Sequence, residues 1–66
     1  MDETVTVDDY LNLRRRFDVV VELLTNRGRK EEADYHMIYF FLFFEEFERL
    51  RAYITDSERM LADGEW

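Results

Sequence analysis

Hydrophobic positions in the first third of the chain recur at spacings of three and four residues. The repeat consists of Tyr10, Leu13, Phe17, Val20 and Leu24. This spacing places the side chains on one face of an α-helix, and Val21 widens that face. Thr6 is suited to the N-cap, and Gly28 can adopt the left-handed conformation that ends a helix. The pattern predicts a first helix over residues 7–27.

A second helical pattern follows Gly28 and contains neither proline nor glycine. Glu31 and Glu32 lie in its first turn, where negative charge is favourable. The apolar residues on one of its faces are Tyr39, Phe43, Phe47, Leu50 and Ile54. Because the connection at Gly28 is short, we predict a helix over residues 30–54 that packs antiparallel to the first.

The C-terminal sequence allows two continuations. Thr55 and Glu58 have the spacing of a capping box, which predicts a break or bend there and a short third helix over residues 57–63. The alternative is a frayed continuation of the second helix. We favour the break.

β-Strands are the competing interpretation for two apolar runs, residues 19–21 and 38–44, because branched and aromatic side chains favour strands. Neither run is bounded by turn residues, and both lie inside longer helical periods. The sequence therefore favours an all-α fold.

A second apolar stripe lies on the opposite side of the second helix and contains Met37, Phe41 and Phe44. Ile38 and Leu42 lie between the two stripes. One companion helix covers only one face, whereas a helix that is apolar all round needs burial all round. Two or three bare aromatic rings, at roughly 150–250 Å² each, form a patch at the upper limit for soluble monomers. We therefore expect an antiparallel hairpin that completes a helical bundle by oligomerisation or by binding a partner. The alternative is that the short third helix, with Met60 and Leu61, covers the second stripe.

The length and composition limit how much of the chain can be buried. Its 66 residues predict a single small helical domain over residues 1–66. Domains near this length bury about 60% of the surface that their unfolded chains expose. There is no cysteine, so a disulfide cannot compensate. A second subunit or a protein partner is the remaining source of stability.

The charge is strongly acidic, with 16 acidic and 9 basic residues and a formal net charge of −7. We therefore expect no direct binding of nucleic acid or of anionic membranes. The longest apolar run, residues 37–44, is far shorter than the roughly 20 residues that span a bilayer. The acidic residues after Met1 and the lack of cysteine favour a cytoplasmic location.

Candidate chemistry in the sequence is sparse. We find no glycine-rich phosphate loop and no nucleophile with a matching base, so we expect neither catalysis nor a cofactor. His36 with Glu32 and Asp34 is the one combination that suggests a metal. A lone histidine at the edge of an aromatic core is more often structural, so we expect no metal site.

The sequence favours a non-catalytic protein–protein interaction module, a small acidic adaptor or inhibitor. The residues expected to make the contact are Met37, Ile38, Phe41 and Phe44, with Glu45 and Glu48 as an acidic rim. One alternative is a homodimer or larger structural bundle formed through the same stripe. Another is mimicry of nucleic acid by spaced carboxylates, for which the candidates are Glu31, Asp34, Glu45 and Glu48.

A short N-terminal segment resembles a known family. Residues 6–11, followed by Arg14 and Arg15, are similar to the start of the Hha/YmoA nucleoid-associated modulators. The resemblance stops at the second helix, where the phenylalanine-rich run departs from that family, and it implies only an Hha-like regulator of a nucleic-acid machine as an alternative. In its small size, acidity and aromatic content, the chain is also similar to phage- or plasmid-encoded inhibitors, including anti-CRISPR proteins.

Overall fold

Three helices make up the computed structural model, which describes residues 5–65. They are α1 (Val7–Asn26), α2 (Lys30–Leu42) and α3 (Phe47–Ala62), with no strand in the described part of the chain. The all-α class predicted from the periodicity is confirmed. Helix α2 runs antiparallel to α1, and α3 turns back to run in the same direction as α1.

Helix α1 begins and ends close to the predicted positions, because both caps form. The Thr6 hydroxyl accepts a hydrogen bond from the Asp9 N–H at 3.2 Å, and the Asp9 carboxylate accepts one from the Thr6 N–H at 3.0 Å. Gly28 adopts a φ of +77°. The Arg29 N–H then donates to the Leu24 carbonyl oxygen at 2.9 Å, which closes the turn into α2.

The predicted second helix over residues 30–54 is wrong in its length. Helix α2 ends at Leu42, the chain turns over residues 43–46, and α3 begins at Phe47. The break predicted at Thr55–Glu58, with a short helix over 57–63, is also wrong because these residues lie inside α3. The turn is closed by the Glu46 N–H, which donates to the Phe43 carbonyl oxygen at 2.9 Å.

Length explains why the helix breaks without glycine or proline. A continuous helix over residues 30–62 would extend about 50 Å at about 1.5 Å per residue, whereas α1 extends only about 30 Å. Its C-terminal half would have no surface to bury against. The turn instead returns α3 along α1, where Leu50, Ile54 and Leu61 become buried.

The core lies where α1 faces the other two helices. Its buried side chains are Leu13, Phe17, Val20 and Leu24 of α1, Ala33, His36 and Phe40 of α2, and Leu50, Ile54, Ser57 and Leu61 of α3. The α1 members are the stripe predicted from the sequence. Their burial on one side of α1 leaves its opposite side exposed.

An ion pair joins α1 to α3 at the edge of this core. The Arg16 guanidinium donates to both Glu58 carboxylate oxygens, at 3.0 and 2.8 Å, and to the Thr55 hydroxyl at 3.0 Å. The hydrogen bond to Glu58 raises the pKa of Arg16 above its ordinary value. Thr55 and Glu58, which the sequence predicted as a capping box, thus hold α3 against α1.

Candidate functional site

One side of α2 is covered by neither α1 nor α3, and its C-terminal half is apolar. The large apolar and aromatic side chains exposed on α2 and in the turn that follows it are Tyr35, Met37, Ile38, Phe41, Leu42 and Phe44. We call these six residues the α2 face. Phe41 is its most exposed ring, at 81%. Four of the predicted contact residues, Met37, Ile38, Phe41 and Phe44, therefore lie together on the surface.

The register of α2 decides which residues stay outside. Ala33, His36 and Phe40 are spaced by three and four residues and point into the core. The Phe40 ring lies 4.6 Å from the Phe17 ring of α1, measured between centroids. Phe40 is absent from the predicted core stripe of α2, because the predicted register of this helix depended on residues that belong to α3.

Helix α3 covers another side of α2 through stacked tyrosines. The Tyr39 and Tyr53 rings are 4.0 Å apart with an interplanar angle of 20°. Burial raises the pKa of the Tyr53 hydroxyl above its ordinary value, and the Tyr39 and Tyr35 hydroxyls raise it further. With α1 on one side of α2 and α3 on a second, the third side of α2 is left uncovered by the residues that the structure describes.

A cleft of about 650 Å³ lies at the C-terminal end of the α2 face. Its lining includes Phe17, Phe40, Phe41 and Phe44, with Glu45 at its edge. The Arg14 guanidinium, which is bonded to Asp18 at 3.0 Å, lies 5.5 Å from the centre of the Phe17 ring and 5.9 Å from that of Phe40. An aromatic lining with charges at its edge suits an apolar side chain from a partner.

The turn that bounds this cleft is held in place by Tyr10 of α1. Its hydroxyl donates to the Phe44 carbonyl oxygen at 2.9 Å. Its ring lies 5.1 Å from both the Phe44 ring and the Phe47 ring. These contacts pre-organise the cleft, which lowers the entropic cost of binding.

Two carboxylates near the α2 face have no counter-ion in the part of the chain that the structure describes. Glu45 borders the cleft, and Glu31 lies on the exposed side of α2 one turn before Tyr35. Neither forms an ion pair or hydrogen bond with any residue that the structure describes. By contrast, Asp34 pairs with Lys30 at 3.3 Å.

Glu48, predicted to be part of the acidic rim, lies elsewhere. It pairs with Arg51 of α3 and lines a separate cleft with Asn12 and Arg16 of α1. The break after α2 explains the difference, because Glu48 no longer continues the α2 helix. Of the four carboxylates considered for nucleic-acid mimicry, only Glu31 and Glu45 remain without a counter-ion within residues 5–65.

A buried serine–histidine pair joins α2 to α3. His36 Nδ1 is 2.7 Å from the Glu32 carbonyl oxygen, which can only accept, so Nδ1 carries a hydrogen. Nε2 lies 2.6 Å from the Ser57 hydroxyl, which is itself 3.1 Å from the Tyr53 carbonyl oxygen. Sequence motifs do not reveal this pair, because its two residues are 21 positions apart.

The surroundings of this pair favour a structural role. His36 and Ser57 are each 2% exposed, and the Tyr53 ring lies 4.7 Å from the imidazole. A substrate has no path to the hydroxyl in this structure. The pair instead fixes the register between α2 and α3 by a specific polar contact inside an apolar core.

Neither a metal site nor a membrane span is found in the part of the chain that the structure describes. No three histidine or carboxylate side chains converge there at metal-binding distances, and Glu32 and Asp34 do not form such a group with His36. No helix among these residues has both the length and the apolar character to cross a bilayer.

Comparison with known proteins gives no relative. No family model, curated protein or solved structure matches the chain. The likeness of residues 6–15 to Hha proteins, and the general likeness to anti-CRISPR proteins, therefore stay sequence-based expectations.

Proposed function

We propose that this protein is a non-catalytic protein–protein interaction module that binds a protein partner through the α2 face. The observation that carries the proposal is Phe41, which is 81% exposed among the other exposed apolar and aromatic side chains of the α2 face. Large contiguous apolar patches on soluble proteins mark interaction sites. Covering several hundred Å² at about 25 cal/mol per Å² contributes several kcal/mol before the costs of association.

The construction of the site supports binding by a rigid surface. Helix α2 packs against α1 through Phe40 and against α3 through Tyr39, so the α2 face is formed before any partner arrives. A small acidic adaptor or inhibitor would use such a face to occupy a surface of its target. An anti-defence inhibitor of the phage or mobile-element type is one setting for this activity.

Replacing Phe41 by glutamate should remove the binding activity. Glutamate would place a carboxylate in the centre of a contact that must lose its water, which is costly without a counter-ion. The immobilised wild-type chain should retain a discrete set of proteins from a lysate of its cells of origin. Phe41→Glu should lose that set, as quantified by mass spectrometry of the eluates.

Val19→Glu is the matched control, because Val19 is also exposed, at 51%, but lies on α1. It should retain the same proteins as the wild type. Equal retention by all three chains would contradict the proposal. Sedimentation velocity of the same samples tests the homodimer alternative, which predicts a wild-type dimer and a Phe41→Glu monomer.

A further inference from the structure

We infer that the α2 face binds an amphipathic helix of the partner protein, and that this helix carries basic residues at both ends of its apolar stripe. The inference rests on the proposed function and adds the chemistry of the occupant. Two observations carry it: the linear shape of the apolar surface, and the carboxylates at its two ends, which have no counter-ion within residues 5–65.

The shape matches a helical ligand. From Tyr35 to Phe44 the α2 face runs along one helix and into the turn, a length of roughly 15 Å at 1.5 Å per residue. The cleft beside Phe41 and Phe44 lies at one end of this surface. A linear apolar surface with a deeper pocket is suited to a helix that inserts one large side chain and lays the rest of its apolar stripe alongside.

The carboxylates at the two ends of the α2 face indicate which side chains should flank the apolar stripe of the partner helix. Glu31 precedes Ile38 by seven positions and Leu42 by eleven, so it lies in the same row of the helix surface. Glu45 lies at the other end, where it borders the cleft. About 16 Å separates Glu31 from Leu42 along α2, and Glu45 lies beyond Leu42. Cations that pair with Glu31 and Glu45 would therefore lie roughly three to four turns apart on a partner helix.

A second copy of this chain fits the charges poorly. In an antiparallel pair centred on the α2 face, Glu31 of one copy lies beside Glu45 of the other. In a parallel pair, each glutamate faces its own counterpart. Both arrangements bring together carboxylates that have no counter-ion among the described residues of their own chain, and each chain has a net charge of −7. The cations at the same ends, Lys30 beside Glu31 and Arg14 in the cleft, already pair with Asp34 and Asp18. Like charges across an interface lower the affinity. Lysine or arginine on a partner helix removes this conflict.

Two synthetic peptides provide the test. Each has about 18 residues and the same leucine stripe at helical spacing; one carries lysine pairs at both ends and the other carries glutamate pairs. Fluorescence anisotropy measures their binding to the wild-type chain at low salt. We expect the lysine peptide to bind roughly tenfold more tightly than the glutamate peptide, with the difference shrinking as salt is added.

Charge reversal on the protein separates local pairing from net charge. The double variant Glu31→Lys with Glu45→Lys should invert the preference, whereas Glu31→Gln with Glu45→Gln should only remove it. The control, Glu22→Lys with Glu65→Lys, changes the net charge equally at exposed positions outside the α2 face. It should keep the preference for lysine. Circular dichroism confirms that each variant remains folded.

The outcomes distinguish this inference from the proposed function. If both peptides bind the wild type equally and Phe41→Glu abolishes both, the charge inference fails while the proposed function stands. If Phe41→Glu binds as the wild type does, both fail. Three other results would overturn the inference. The control double variant could prefer the glutamate peptide, or neither peptide could bind the wild type. The third such result is a wild-type dimer that Phe41→Glu dissociates.

Discussion

Leu50→Ala is expected to leave the domain largely unfolded under conditions in which the wild type is folded. Leu50 is 0% exposed and holds α3 against the rest of the core. Truncating a buried leucine to alanine costs about 2–5 kcal/mol, through lost apolar burial and the cavity that remains. A core in a domain of this size rarely supplies more than about 3–5 kcal/mol in total. Urea unfolding followed by circular dichroism measures the difference.

Leu11→Ala is the matched control, since Leu11 has the same side chain but is 55% exposed. Its free energy of unfolding should stay within about 0.5 kcal/mol of the wild type. A Leu50→Ala chain as stable as this control would show that α3 does not pack as described, and the placement of the turn after α2 would then be wrong.

Ser57→Ala is expected to lower the free energy of unfolding by about 1–3 kcal/mol, although it removes only one oxygen atom. The lost hydroxyl lies 2.6 Å from His36 Nε2 at a site where both residues are 2% exposed. Breaking a buried hydrogen bond costs more than breaking an exposed one, because water does not replace the missing partner.

A double-mutant cycle with His36→Phe assigns this cost to the pair. In the His36→Phe background, the Ser57 hydroxyl still reaches the Tyr53 carbonyl oxygen at 3.1 Å, so Ser57→Ala should cost less than in the wild type. Chemical denaturation of the four chains gives the coupling energy. If the two changes are simply additive, the contact between His36 and Ser57 does not stabilise the fold.

Local sequence rules account well for α1. Its apolar stripe, its N-cap at Thr6 and the left-handed turn at Gly28 each depend on residues close together in the sequence. The same holds for the prediction that Met37 and Phe41 exceed what the chain buries, because helical spacing alone places them away from the core-facing side, whereas Phe44 lies in the turn after α2.

The break between α2 and α3 depends on tertiary packing and could not be read from local signals. Residues 43–46 contain no helix breaker, and the glutamates there are compatible with a helix. The turn forms because α1 is too short to cover one long helix. The spacing of Ala33, His36 and Phe40 was an available signal for the correct register of α2, but the assumed continuity with Leu50 and Ile54 hid it.

The pairing of His36 with Ser57 and the position of Glu48 follow from that break. Once α3 folds back, Ser57 lies beside α2, and Glu48 lies beside Arg51 and away from the α2 face. Within residues 5–65, Glu31 and Glu45 then remain as the acids at the ends of the apolar surface that form no ion pair. Of the acidic rim expected from the sequence, Glu45 and Glu48, only Glu45 lies beside the α2 face. Glu31, at the other end of that face, was not part of the predicted rim.

Carbene footprinting of the purified chain, over a dilution series, tests most directly whether the α2 face is uncovered and available to a partner. We predict strong labelling of Met37, Phe41 and Leu42 at every concentration, and little labelling of Leu24 and Leu50. Labelling of Phe41 as weak as that of Leu24 in the dilute sample would mean that the chain covers this surface itself. That result would contradict a binding role for α2.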